Sequence, residues 1–223
     1  IPTKAMVAGA ARLHEARRAA EYGVLVPEVG LDFAAFMARK EAATAQLRAG
    51  VEHLLRARKV QVVAGRGTLA GPGRVSLAPG AVLADGTALA DGGELEGDAV
   101  ILASGSEPVR MDLFDWRDQR VMTSDELLEI DHVPAGLAIV GGGVIGCEFA
   151  SVFNRLGSEV TVIEMLPQLL PGEDQRVGRS LQQAFRKAAE AAKEGCPISQ
   201  ALKGNVELSV EARLQASEAQ PQA

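Results

Sequence analysis

Disulfide chemistry has little to work with in this chain, since Cys147 and Cys196 are the two cysteines among 223 residues. So low a count argues against a disulfide-stapled secreted scaffold and fits a reducing, cytoplasmic setting. Aromatic residues are equally scarce, with one Trp, one Tyr and six Phe, so a core has to be built from aliphatic side chains and alanine. Positive charge is not in surplus either. Twenty-three Lys and Arg against 29 Asp and Glu leave a net charge of −6, and no basic stripe is present to neutralise a phosphate backbone, which argues against nucleic acid as a partner. No apolar run approaches the ~18 residues that cross a bilayer, and no signal-peptide pattern opens the chain, so no membrane association is expected. The three histidines, His14, His53 and His132, are scattered without ligand spacing, and no metal site is expected.

What the chain does have is glycine in a telling place. Leu137 to Val140 form an apolar run that reads as a buried strand and turns abruptly into Gly141, Gly143 and Gly146. In a βαβ unit the first glycine permits the tight turn and the second lets backbone approach a pyrophosphate. The third lets the helix pack closely on the strand, while the helix N-terminus faces the phosphate charge. Helical spacing follows, with Ile145, Phe149, Val152 and Leu156 expected on one buried face and Gly157 at the C-cap. Glu159 to Glu164 reads as a second strand ending in a carboxylate, 23 residues after Gly141. That acid is placed to accept hydrogen bonds from an adenosine ribose and to repel a 2′-phosphate, which favours NAD over NADP.

Around this unit the chain divides into zones. Lys4 to Glu21 keeps apolar residues at helical spacing and is stopped by Gly23; Asp32 looks like the N-cap of a second helix to Arg58, with a possible break at Gly50. From Val60 the period changes to two, and QVVAGRG, RVSLAPG, AVLADG and AVILASG read as short strands punctuated by Gly and Pro. Residues 1–134 form the first zone and 135–187 the dinucleotide unit. Residues 188–214 hold a helical stretch, Cys196-Pro197 and an alternating strand from Val206 to Leu214, and 215–223 read as a frayed polar tail.

IPTKAM at the start, DFAAFMARKEAATAQLRAGVEHLL, the GRG loop, ILASGSEP and VPAGLAIVGGGVIGCEFASVFNRLGSEVTVIE together resemble the dihydrolipoamide dehydrogenases, within the FAD- and NAD-dependent flavoprotein disulfide reductases. The likeness covers residues 1 to about 187. It implies an α/β fold: a partial two-dinucleotide-binding, Rossmann-like flavoprotein with an appended helix-strand tail. It also implies FAD and NAD as cofactors, a lipoyl-bearing acyltransferase of 2-oxo acid dehydrogenase complexes as partner, and a homodimer in the intact family. Members read C-x-x-x-x-C-I-P-[ST]-K across their redox disulfide, and this chain opens on Ile1, the residue after the second cysteine. A middle slice is therefore expected, without the redox pair, the FAD fingerprint or the C-terminal acid/base pair, and with doubtful activity of its own.

By that resemblance Lys4 matches the lysine beside the flavin ring and Glu148 its ion-pair partner; a solvated helical lysine is the alternative. Gly67 matches a backbone contact to FAD, or is a plain turn glycine. Ser104, Gly105 and Ser106 match an A-T-G-S turn at the same cofactor, with serine in place of threonine. Gly141, Gly142, Gly143, Val144, Ile145 and Gly146 match the NAD pyrophosphate loop, and Glu164 the ribose acid. Cys147 falls where the family carries a small or medium apolar residue, so a packing role is expected. The stretch AAEAAKEGCPISQALKGNVELSVEARL is similar to the C-terminal end of the osmotically induced and organic-hydroperoxide-resistance peroxidases, where Cys196 matches a resolving cysteine. Two other readings thus stand beside a dehydrogenase fragment: a non-catalytic NAD-binding module, and a piece of a thiol peroxidase acting through Cys196.

Overall fold

Pro2 sits in the first turn of α1 (Pro2–Arg17), where a missing N–H leaves no helical bond unmade and a fixed φ suits the helix. The computed structural model describes residues 1–195 in backbone and 1–187 in side chain. The chain clusters into two units, Ile1–Lys40 together with the chain from Glu126 onward, and Glu41–Asp125.

In the first unit, Met6, Ala10 and Leu13 repeat at helical spacing along α1 and are buried. A 3₁₀ turn at Ala19–Tyr22 follows, and Gly23 closes it in the left-handed region at φ +76°. Helix α2 (Phe33–Ala57) starts where Asp32 Oδ1 accepts the Ala35 N–H at 2.9 Å, the cap its sequence called for. Near that start the Phe36 ring lies so close to Gly9 that a Cβ there would meet it at 2.5 Å. The expected break at Gly50 is corrected: α2 runs through it, because one glycine costs a helix only about 1 kcal/mol and cannot by itself end it.

The second unit contains antiparallel strands. Strands β1 (Val63–Ala64), β2 (Gly67–Gly71), β3 (Arg74–Leu77), β4 (Ala81–Leu83), β5 (Ala88–Leu89) and β6 (Gly93–Glu96) form two three-stranded sheets, ordered β1-β4-β5 and β2-β3-β6. Gly67 pairs with Leu77 and Leu69 with Val75 in the β2–β3 hairpin. AVILASG is a second correction. Residues 99–105 form no strand, and Ile101 and Leu102 stand 89% and 75% exposed. An extended run becomes a strand only beside a hydrogen-bonding neighbour, and none of the described strands pairs with it.

After the short helix α3 (Ser124–Leu127), the first unit completes a βαβ motif from β7 (Gly136–Val140), α4 (Val144–Leu156) and β8 (Glu159–Ile163), with the strands parallel and Val140 beside Ile163. Helix α4 buries Cys147, Phe149, Ala150, Val152, Phe153 and Leu156, packing on the sheet and on α1. Ile145, expected on that face, is 60% exposed, because helical spacing sets which residues share a face and not how far a neighbouring element covers it. Gly157, at φ +116°, caps α4, its N–H donating to Phe153 and Asn154 carbonyls. Helix α5 (Gln175–Gly195) runs without interruption past residue 187. Cys196 and the alternating stretch 206–214 lie outside the described residues.

One interior charge went unread in the sequence. Lys40 is 2% exposed; its Nζ donates to the Leu128 carbonyl and faces Glu129 Oε1 at 3.4 Å. Its four-carbon stem reads as an ordinary solvated lysine until α2 and the chain after α3 close over it.

Candidate nucleotide-binding site

The turn between β7 and α4 is tied to the sheet at its first residue, where the Gly141 N–H donates to the Ile163 carbonyl at 2.8 Å. Gly141 adopts φ +112°, a region that disfavours any residue with a Cβ. Gly143 is the N-cap of α4, with extended backbone and no side-chain cap. A Cβ on either Gly141 or Gly143 would meet nothing within 4 Å, so both present bare backbone to open space. Gly146 differs: a Cβ there would lie 2.0 Å from the Gly141 carbonyl oxygen and 3.2 Å from Ile139 Cγ2, so its absent side chain is what lets α4 sit on β7. The uncapped first turn of α4 offers N–H groups and the positive end of the helix dipole. Open backbone, free helix terminus and close packing together fit a dinucleotide pyrophosphate.

Glu164 lies at the edge of this cradle, and its carboxylate is fixed by two backbone donors. Oε2 accepts the Gly142 N–H at 2.6 Å and Oε1 the Leu166 N–H at 2.8 Å. Each oxygen keeps a further lone pair for a ligand hydroxyl. Below the loop, the Cys147 thiol is buried and donates to the Gly142 carbonyl at 3.3 Å. Burial first, and the Glu164 charge second, push this thiol above its ordinary range. A protonated, shielded thiol packs; it does not attack.

On the other side of α4, Lys4 Nζ donates to Glu148 Oε1 and joins α1 to α4. The sequence separates the two by 144 positions, and the fold brings them together. In the second unit, Gly67 begins β2, where a Cβ would stand 3.1 Å from Val75 Cγ1. Ser104, Gly105 and Ser106 lie on an exposed irregular segment with Gly105 at φ +81°. His14 lies on α1, His53 on α2, and His132 on the surface with Nδ1 2.6 Å from Asp131; no metal-holding cluster occurs among the described residues. Nor is any described helix long and apolar enough to cross a membrane.

The sequence reading passed over what lies behind the glycines. The chain after Glu164 turns back over the loop, so that the Leu170 N–H donates to the Gly142 carbonyl at 2.8 Å and the Leu169 side chain covers Gly142. Only the pair of leucines ending MLPQLL hinted at a second contact.

Comparison with known proteins places the chain in a family. The pyridine nucleotide-disulphide oxidoreductase family matches residues 1–213. A dihydrolipoyl dehydrogenase of Bacillus subtilis is 36% identical over 187 residues, covering 84% of this chain and 40% of the relative. Dihydrolipoyl dehydrogenase 3 of Pseudomonas aeruginosa is 38% identical over 217 residues, 96% of this chain and 44% of the relative. Among solved structures, LpdA of Mycobacterium tuberculosis superposes with a TM-score of 0.69 at 30% identity, over 84% of this chain and 39% of that one. The chain thus spans about two fifths of the length of these relatives. The family match runs on across the segment likened to peroxidases and lends that second resemblance no support.

Proposed function

The chain belongs to the pyridine nucleotide-disulphide oxidoreductase family, and from that membership we propose that it is the nucleotide-loop portion of a dihydrolipoyl dehydrogenase, binding NAD in preference to NADP. The observation that carries this reading is the Glu164 carboxylate, held by the Gly142 and Leu166 N–H groups beside an uncapped helix N-terminus. There it accepts ribose hydroxyls and repels a 2′-phosphate. Met165 and Leu166 follow it, with no arginine beside the acid to reward that phosphate.

The flavin, when bound, supplies two-electron transfer between a nicotinamide and a disulfide. The chain's own part is to hold and orient. Gly141, Gly143 and the first turn of α4 cradle a pyrophosphate. By likeness to the family, Lys4, paired with Glu148, would supply a cation to a reduced flavin, and Gly67, Ser104, Gly105 and Ser106 are the positions of the second unit that would touch FAD. A lipoyl-bearing acyltransferase as electron donor, and pairing with a second copy, belong to the same proposal and rest on likeness to the named dehydrogenases.

Titration with NADH and NADPH, followed by nucleotide fluorescence, is the test. The parent chain is expected to bind NADH more tightly. Glu164→Gln keeps an acceptor for Gly142 and removes the charge, so the preference should shrink about tenfold, ~1.4 kcal/mol. Glu164→Ala also releases Gly142, so both nucleotides should bind more weakly. Tighter NADPH binding by the parent overturns the assignment.

A further inference from the structure

Gly142 occupies the fingerprint position that the spacing G-x-G-x-x-G leaves unspecified, yet both its backbone groups and its missing side chain are used by the chain after β8. Its N–H donates to Glu164, and its carbonyl accepts from Leu170 N–H and from the Cys147 thiol. Its φ lies outside the left-handed region, so backbone conformation does not demand glycine. Space does. A Cβ at 142 would meet Leu169 Cδ2 at 2.5 Å and the Glu164 Cβ and Cγ at 3.1 and 3.2 Å. The segment that fills this space is itself under strain: Leu170 is one of two non-glycine residues at positive φ among the described residues, at +54°. Beyond, it passes close to α5, where Leu169 O lies 2.5 Å from the place of a Cβ on Gly178.

We propose that Leu169 and Gly142 form a packing lock that fixes the glycine turn from behind and sets the reach of the Glu164 carboxylate, making Leu169 a positioning residue for dinucleotide binding. Glycine at 142 is then favoured by the protein's own strap, whereas glycine at 143 is favoured by the ligand. The nucleotide part of this inference rests on the function proposed above; the lock itself does not.

The two parts separate experimentally. In the full chain carrying Cys196→Ser, one thiol remains, and its alkylation by a maleimide without nucleotide reports how tightly the loop covers Cys147. Gly142→Ala and Leu169→Ala should each speed alkylation about tenfold or more, the first by a clash and the second by a gap. The double variant, in which the new methyl fills space that the leucine vacated, should lie nearer the parent than either single. NADH affinity, lost in Gly142→Ala, should recover in the double variant. If Gly142→Ala is not recovered folded, a folded double variant is the same rescue. Effects that simply multiply, or a double variant that fails to fold while Leu169→Ala folds, overturn the lock. Coupled alkylation in a parent that binds no NADH supports the lock and overturns the dinucleotide reading instead.

Discussion

Cys147 carries two consequences of its place under the turn. In an unfolded chain its thiol ionises near about 8.5, whereas burial, and then the Glu164 charge, raise it in the fold. Folding holds the neutral form, so this contribution to stability is intact below the ordinary thiol value and is lost as pH rises through the higher folded value. Thermal midpoints followed from pH 7 upward should fall more steeply for the parent than for Cys147→Ala; parallel curves would show that the thiol is not shielded. The Lys4–Glu148 pair is a different case, since the lysine side chain is 70% exposed and the glutamate 25%. A pair so wetted contributes little to stability. Lys4→Met should therefore leave the melting temperature nearly unchanged, and a large drop would make the pair a structural rivet between α1 and α4.

At the scale of elements, the glycines of the β7–α4 turn divide into those that serve packing and those that face outward. Gly146→Ala places a methyl against the Gly141 carbonyl, and overpacking of this kind costs about 1–3 kcal/mol. Gly143→Ala meets open space on extended backbone, so stability should hold while nucleotide affinity falls. Calorimetry and titration of both variants check the division, and a destabilised Gly143→Ala would refute it. In α2 the logic reverses. Gly50 is exposed with nothing within 4 Å of a Cβ, so Gly50→Ala should raise stability by about 0.5–1 kcal/mol, measured by denaturant unfolding. The helix that the sequence seemed to interrupt is held by its neighbours' backbone bonds, and alanine only removes unfolded-state freedom.

At the scale of the whole molecule, the described residues leave much apolar surface exposed. Parallel strands are ordinarily covered on both faces, yet among the described residues β7 and β8 pair only with each other, and Val140 and Ile163 stand 49% and 52% exposed. In the other unit Ile101 and Leu102 are largely bare. Surfaces of this kind bind partners or self-associate. The purified chain should bind a hydrophobic dye and elute above its monomer size, and a monomer with a sharp, cooperative melt and no dye binding contradicts that expectation.

The local elements were legible because their signals are local. Asp32 announces a helix by its side-chain reach to Ala35, and the parallel unit announces itself by an apolar run, glycines at fixed offsets and a terminal acid. What needs a partner distant in sequence was decided elsewhere. AVILASG has the composition of a strand but pairs with none of the described strands; Ile145 has helical spacing and no cover among the described residues. Lys40 looks solvated until Leu128 and Glu129 reach it. The fingerprint could be read from residue types at fixed spacing, and the family from the chain's resemblance to known members. Only the tertiary structure decided that Gly142 is held from behind by Glu164, Leu169 and Leu170, because a close approach between segments more than 20 residues apart is fixed by packing, and packing leaves no period in a sequence.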